Sequence, residues 1–175
     1  MATKTVVRRG GDDWQDANSL MLTARLDRAK TAVLVVEDSP EVQRYLRTLL
    51  ELDSYQTEVA NNGEEALQWL REGYDPAVVL LDMQMPGMDG LQTLQRLREL
   101  RPDLKVIICS GLDDPEKVGQ AIALGAHAYL IKPVQHLYLS AAVERCLAGE
   151  AAADTRAPAR TRVVTLSVRD PFRPN

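Results

Sequence analysis

The sequence predicts an α/β fold in which a parallel sheet is covered by helices on both faces. Short apolar runs rich in β-branched residues alternate five times with longer stretches of helical periodicity. Right-handed crossovers between consecutive strands then require a parallel sheet with helices on both faces. Polar side chains directly follow the apolar runs, at the strand ends where open α/β sheets bind their ligands.

The composition is that of a globular protein. The 175 residues, 45% hydrophobic and 26% charged, are enough for one ordinary domain with some length to spare. No apolar run is long enough to span a membrane, and the first residues are too polar for a signal peptide. We therefore expect a cytoplasmic protein without membrane insertion, with Cys109 and Cys146 as reduced core thiols.

The formal net charge of −4 is unevenly distributed. Residues 1–31 carry six basic and four acidic side chains, and residues 148–175 carry five and three. Each end is therefore +2, and residues 32–147 carry −8. An acidic centre of this kind does not favour direct DNA binding.

The first two strand–helix units begin at residue 32. The apolar run 32–36 predicts a buried strand that ends at Glu37 and Asp38. A Ser-Pro pair at 39–40 provides an N-cap and a first-turn proline for a helix that extends to about Leu52. The second unit is, in chain order, a strand over 56–60, a turn at 61–63, and a helix over 64–72 closed by Gly73.

The central strand is predicted over residues 77–81, and Asp82 follows it directly. A strand buried on both faces has no structural need for this carboxylate. Asp82 must therefore be an N-cap, a metal ligand or a nucleophile.

Two more strands follow, and each ends at a polar residue. The predicted bounds are, in chain order, a helix before Pro102, a strand over 105–109, a helix from Asp114 to Gly125, a strand over 128–131 and a helix over 134–147. Ser110 follows the fourth strand and Lys132 follows the fifth.

Because the carboxyl ends of parallel strands share one edge, these polar residues are expected to meet in one pocket. Two carboxylates about 5 Å apart repel by about 3 kcal/mol at an effective dielectric constant of about 20. Glu37, Asp38 and Asp82 cannot all be neutralised by Lys132 alone. Either some of these carboxylates are protonated or a divalent cation is bound, and oxygen ligands at an open edge suit Mg²⁺.

Such a pocket is suited to phosphoryl transfer. Asp82 is then the natural nucleophile and would form an acyl phosphate. Ser110 can donate a hydrogen bond to one phosphoryl oxygen, and Lys132 can pair with another. Catalysis would be mostly positioning and charge neutralisation.

Four segments in this order resemble the receiver domain of two-component response regulators. They are Val-Val-Glu-Asp at 35–38, Val-Leu-Leu-Asp-Met-Gln-Met-Pro-Gly-Met-Asp-Gly at 79–90, Ile-Ile-Cys-Ser-Gly at 107–111 and Gly-Ala-His-Ala-Tyr-Leu-Ile-Lys-Pro at 125–133. The resemblance covers residues 32–147 and implies a flavodoxin-like (βα)5 doubly wound five-stranded sheet of order 2-1-3-4-5. It leaves 1–31 as an N-terminal extension, helical or flexible, and 148–175 as a C-terminal tail containing Arg and Pro.

The resemblance also implies roles for the polar residues. Asp82 would accept phosphate from a histidine kinase or a histidine phosphotransfer protein, with Lys132 and Ser110 assisting. Asp38 and Asp82 would bind Mg²⁺ directly, together with the backbone carbonyl of Gln84, and Glu37 would act largely through water.

The resemblance implies that Ser110 and Tyr129 act as a switch pair in signalling. Their movement would reshape the face made by the fourth helix, the fifth strand and the fifth helix. The outer side of the last helix, with Leu137 and Tyr138, suggests a phosphorylation-controlled homodimer, with scattered surface apolar residues as the equal alternative. A further hypothesis is that Leu112 impedes the hydrolytic water and prolongs the phosphorylated state.

We expect a single-domain response regulator that acts as a relay, adaptor or phosphate sink. The 28 residues after Leu147 are too few for a DNA-binding output domain. The chain would catalyse its own phosphorylation and dephosphorylation and would not turn over a conventional substrate. The main alternative is a phosphorylation-independent interaction module that uses its terminal tails. A phosphohydrolase ranks last, because Met83 and Gln84 supply no second acid near Asp82.

Overall fold

A computed structural model describes residues 27–111 and 114–149 of the chain. The strands are β1 Ala32–Val36, β2 Gln56–Ala60, β3 Val78–Asp82, β4 Lys105–Ser110 and β5 Ala128–Ile131. The helices are α1 Pro40–Leu52, α2 Gly63–Arg71, α3 Gly90–Leu100, α4 Pro115–Ala123 and α5 His136–Leu147. The predicted alternation of five strands and five helices is confirmed. The expectations for most of the N-terminal extension, for Leu112 and for nearly all of the C-terminal tail lie outside the described residues.

The five strands form one parallel sheet of order β2-β1-β3-β4-β5, as predicted. Val36 at the end of β1 lies beside Leu81, and Asp82 lies beside Cys109. The strand order reverses between β1 and β3, so a crevice forms beyond the carboxyl ends of these two strands. The register therefore brings the ends of β1, β3 and β4 to one edge of the sheet.

Two apolar cores lie on opposite faces of the sheet. The α2, α3 and α4 side chains pack on one face, against residues that include Leu34, Val79 and Ile108. The α1 and α5 side chains pack on the other face, which also buries the free thiols of Cys109 and Cys146. Every residue of β3 is buried, because this central strand is covered on both faces.

Several element bounds differ by one or two residues from those predicted, and three of these differences have a clear physical reason. The strand β3 includes Asp82, and β4 includes Ser110, because both residues continue the ladder of paired strands. The last helix begins at His136 and not at residue 134, because Gln135 has an extended backbone and Val134 is buried in the core beside α5. None of the described helices combines the length and the apolar character needed to cross a membrane.

Candidate functional site

Three strands deliver an ion-pair network to the carboxyl edge of the sheet. Glu37 follows β1, Asp82 ends β3 and Lys132 follows β5. The Lys132 Nζ donates to Glu37 Oε2 at 2.6 Å and to Asp82 Oδ1 at 2.8 Å. Only 2% of Glu37 and 3% of Asp82 is exposed, so one ammonium group lies between two buried carboxylates.

The second oxygen of each buried carboxylate is held by the backbone. The Ser39 N–H donates to Glu37 Oε1 at 3.3 Å, and the Gln84 N–H donates to Asp82 Oδ2 at 3.2 Å. Lysine and backbone donors together fix both oxygens of both carboxylates. The carboxylates are therefore oriented before any ligand arrives.

A third carboxylate, that of Asp38, completes an acidic cluster. One oxygen from each of Glu37, Asp38 and Asp82 lies within 4.8 Å of the others, and Asp38 is exposed to solvent. Lys132 compensates only one of the three negative charges. An all-oxygen donor set with excess negative charge and one solvent-exposed member fits Mg²⁺, which keeps several waters when bound to proteins.

The pKa shifts in this cluster have identifiable causes. Burial raises the pKa of Glu37, the hydrogen bond from Lys132 opposes this rise, and the charge of Asp82 adds to it. Burial acts to lower the pKa of Lys132, but the hydrogen bonds to Asp82 and Glu37 together with the charges of these carboxylates outweigh burial, and the net shift of the pKa is upward. The lysine therefore stays charged, and the crowded carboxylates favour a cation or a proton.

The loop after Asp82 is fixed by the start of α3. The Asp89 side chain accepts from the Gln92 N–H at 2.8 Å, and the Gln92 side chain accepts from the Asp89 N–H at 3.4 Å, which forms a capping box. A Cβ atom on Gly90 would lie 2.4 Å from the Asp82 carbonyl oxygen. Only glycine allows this approach. No role was predicted for Gly90, because this contact depends on how α3 packs against the end of β3.

A second residue without a predicted role is Gln43 on α1. Its Nε2 donates to the Glu37 carbonyl at 2.7 Å and to Asn61 Oδ1 at 3.1 Å. Gln43 thus ties α1 to the ends of β1 and β2 beside the acidic cluster. No sequence signal points to it, because the contact depends on how α1 crosses the sheet edge.

The remaining predicted site residues lie on β4, on β5 and in the loop after β3. Ser110 is fully buried at the end of β4, and its carbonyl accepts from the Lys132 N–H at 2.8 Å. Tyr129 lies on β5 beside Ile108 and is 6% exposed within the core that α4 covers. The roles of Ser110 and Tyr129 as a switch pair, and of the Gln84 carbonyl as a metal ligand, stay predictions.

Comparison with known sequences agrees with this geometry. Residues 33–144 match the family model described as the response regulator receiver domain. The chemotaxis protein CheY of Halobacterium salinarum is 35% identical over 103 residues, which cover 59% of this chain and 85% of that protein. The nitrate/nitrite response regulator NarL of Escherichia coli is also 35% identical, over 67% of this chain and 55% of its own length. The chain thus spans about half of NarL and most of this CheY.

Solved structures that match this chain also include response regulator proteins. A response regulator receiver domain protein from Clostridium thermocellum is 30% identical with a TM-score of 0.65, and the match covers 69% of this chain and 96% of that one. The response regulator TrrA of Thermotoga maritima, in complex with Mg²⁺ and BeF, is 30% identical with a TM-score of 0.61. That match covers 67% of this chain and 99% of TrrA.

Proposed function

The chain belongs to the response regulator receiver domain family, and from this premise we propose that it accepts a phosphoryl group on Asp82 in a two-component phosphorelay. The donor would be a phosphohistidine of a histidine kinase or of a histidine phosphotransfer protein. The observation that carries the proposal is the Lys132 ammonium between two buried carboxylates, beside a third, at the carboxyl edge of the sheet.

The side chains of the site have separate tasks in the transfer. An Asp82 carboxylate oxygen attacks the phosphorus, the P–N bond of the phosphohistidine breaks, and the leaving imidazole takes up a proton. Lys132 exchanges part of its hydrogen bonding with Asp82 for a phosphoryl oxygen and stays protonated. Ser110 donates its hydroxyl to a second phosphoryl oxygen. The Lys132 ammonium neutralises negative charge on the phosphoryl group, and the Ser110 hydroxyl replaces a hydrogen bond that water would donate to it in solution.

The acidic cluster would hold Mg²⁺ through Asp38, Asp82 and the Gln84 backbone carbonyl, with Glu37 acting through water. When bound, the metal would supply positive charge to the phosphoryl oxygens. The donor set described above fits this ion, and the similar protein TrrA is described in complex with Mg²⁺ and BeF.

Signalling would proceed from Ser110 and Tyr129 to the face made by α4, β5 and α5. Ser110 and Tyr129 lie on the adjacent strands β4 and β5, and β5 is the edge strand that belongs to this face. Residues 32–147 would form the receiver unit of a single-domain regulator that acts as a relay or adaptor. The CheY relative, of which the chain covers 85%, supports this reading.

A phosphorylation assay tests the proposal. The protein is incubated with acetyl phosphate and Mg²⁺, and its intact mass is measured by mass spectrometry. We expect the gain of one phosphoryl group in the wild type and in Asp103→Asn, an exposed aspartate away from the site, but not in Asp82→Asn. Chelation of Mg²⁺ should also abolish the gain. Equal labelling of the wild type and Asp82→Asn would overturn the proposal.

A capture experiment then separates the phosphorylation-dependent function from a constitutive one. The beryllofluoride-treated wild type and Asp82→Asn are used as baits under identical conditions. A partner bound only by the former would define the output. Equal capture by both baits would favour the phosphorylation-independent interaction module.

A further inference from the structure

A second pocket lies away from the acidic cluster and is lined by aromatic rings and carboxylates. Its volume is about 400 Å³, and Glu58, Trp69, Glu72 and Tyr74 line it. Glu58 lies on β2 at one edge of the sheet, and the other three lie at the end of α2 or just after it. The switch residue Tyr129 lies on β5, at the opposite edge. The volume is that of a small-molecule or side-chain site.

The aromatic pair is rigid and well placed to receive a cation. The rings of Trp69 and Tyr74 meet edge to face, with centroids 5.9 Å apart and an interplanar angle of 83°. The Tyr74 N–H also donates to the Trp69 carbonyl at 2.9 Å, which fixes the turn between the two residues. An edge-to-face pair does not cover both faces of either ring, and an aromatic face attracts cations through its quadrupole.

The charges around the rings have a single sign. Glu58 and Glu72 are the two charged residues that line the pocket, and both are exposed. The Glu72 Oε1 accepts from Gln68 Nε2 at 2.8 Å, and no described lysine or arginine forms an ion pair with either carboxylate.

The buried Tyr74 hydroxyl determines the charge of the aromatic lining. It is buried and has no hydrogen-bond partner among the residues that the structure describes. Burial, followed by the charge of Glu58, raises the pKa of Tyr74, so the phenol stays protonated and neutral. The ring that Tyr74 presents to the pocket is therefore that of a neutral phenol.

From these observations we propose that this pocket binds a guanidinium or alkylammonium group. The aromatic faces would contact the cation, and Glu58 and Glu72 would pair with its charge. A planar guanidinium, with five N–H donors and a face that stacks on aromatic rings, suits this set of contacts best. The cation can come from a separate ligand or from the arginines of residues 150–175 of the same chain.

Binding can be measured with an arginine side chain as the probe. The full-length protein is titrated with acetylarginine methylamide, and the indole N–H signal of Trp69 is followed by NMR. The only other tryptophan is Trp14, whose signal is assigned with Trp14→Phe. Acetylcitrulline methylamide, which has a similar shape without the charge, is the control ligand. We expect a saturable shift with the arginine probe only.

Paired variants test the two carboxylates. Because Glu58 and Glu72 are exposed, Glu58→Gln with Glu72→Gln should leave the fold intact and weaken binding of the probe about tenfold. The matched control is Glu51→Gln with Glu64→Gln, which removes the same charge from exposed positions on α1 and α2 outside the pocket. This control should bind the probe like the wild type.

A third protein separates the two sources of the cation. In it, the five arginines at 156, 160, 162, 169 and 173 are replaced by glutamine in the full chain. Tighter probe binding by this protein than by the wild type would assign the pocket to the chain's own arginines, and equal binding would assign it to a separate ligand. The proposal is overturned if neither protein shows a saturable shift, or if the citrulline probe binds as well as the arginine probe.

Discussion

At the scale of single residues, Lys132 is the centre of the phosphoacceptor site. It is the only cation that contacts Glu37 and Asp82 in the described part of the chain, and both carboxylates are almost fully buried. A buried ion pair contributes little net stability, but the loss of one partner leaves an uncompensated buried charge. We therefore expect the lysine to contribute to stability as well as to the proposed phosphoryl transfer.

Lys132→Met should lower the free energy of unfolding by about 3 kcal/mol when Mg²⁺ is chelated. Added Mg²⁺ should stabilise this variant more than the wild type, because the metal would replace the missing positive charge. Urea denaturation with and without Mg²⁺ measures both effects. Lys30→Met, at an exposed position, is the control and should change stability by less than about 0.5 kcal/mol. Equal stability of Lys132→Met and the wild type would contradict the ion-pair account.

His127, beside β4, should make the protein less stable in acid. Burial lowers the pKa of His127, and the nearby charges of Arg98 and Lys105 lower it further. Its Nδ1 accepts from the Val106 N–H at 3.3 Å, which requires a ring without a proton on that nitrogen. The folded protein therefore binds this proton less tightly than the unfolded chain does.

The stabilisation from neutral His127 is present above the unfolded pKa of about 6.5 and is lost as the pH falls through the lower folded value. The fall in unfolding free energy between pH 7.5 and pH 5.5 should consequently be smaller in His127→Gln than in the wild type. Urea denaturation at both pH values measures it. An identical pH dependence of the two proteins would show that His127 does not take up a proton on unfolding.

At the scale of elements, the start of α3 determines where Asp82 is held. The capping box fixes the first turn of the helix, and Gly90 lets this turn pack directly on the backbone at the end of β3. The Gly90 N–H also donates to the Met83 carbonyl at 3.2 Å. The position of the acceptor carboxylate therefore depends on a helix that contributes no reacting group.

Gly90→Ala should destabilise the protein by about 2 kcal/mol or more, because the added Cβ would overlap backbone atoms of Asp82 and Met83. It should also slow phosphorylation by acetyl phosphate, since the loop must shift. Gly119→Ala is a matched control. Gly119 lies in α4 with no atom within 4 Å of the added Cβ, so alanine should stabilise that helix by up to about 1 kcal/mol. The two variants should therefore change the urea midpoint in opposite directions. A similar effect of both variants would show that the close contact at Gly90 is unimportant.

At the scale of the whole molecule, the sheet order separates the two sites that we propose. The phosphoacceptor site lies beyond the carboxyl ends of β1, β3 and β5, and the aromatic pocket lies beside the edge strand β2. The α4–β5–α5 face lies at the other edge. One chain could therefore hold a cationic ligand and present a phosphorylation-dependent surface at the same time.

Leu137 on that surface provides a test of the predicted homodimer. It is 78% exposed, the largest exposed fraction among the large apolar side chains of the described residues, and is therefore accessible to a second copy of the chain. Leu137→Asn should leave the unfolding free energy within about 0.5 kcal/mol of the wild type. The variant should also abolish the increase in mass that we expect on adding beryllofluoride and Mg²⁺. Multi-angle light scattering measures this mass, and a wild type that stays monomeric would remove the dimer hypothesis.

The sequence by itself determined the architecture and the members of the acidic cluster. Alternating apolar runs and helical repeats require a parallel sheet, and parallel strands require that residues after their ends share an edge. This is why Glu37, Asp38, Asp82 and Lys132 could be grouped although up to 95 residues separate them. The strand order was predicted from the family resemblance and not from the alternation, and the structure has the same order.

Only the tertiary structure decided the burial of each group and its contacts. Glu37 and Asp38 are neighbours with the same chemistry, yet Glu37 is buried against Lys132 and Asp38 faces solvent. The close approach at Gly90, the bridge through Gln43 and the grouping of two aromatic rings with two carboxylates in one pocket could not be predicted from the sequence. The physical reason is that these features depend on distances between elements far apart in the chain, which packing sets to within a few tenths of an ångström and which local sequence patterns do not specify.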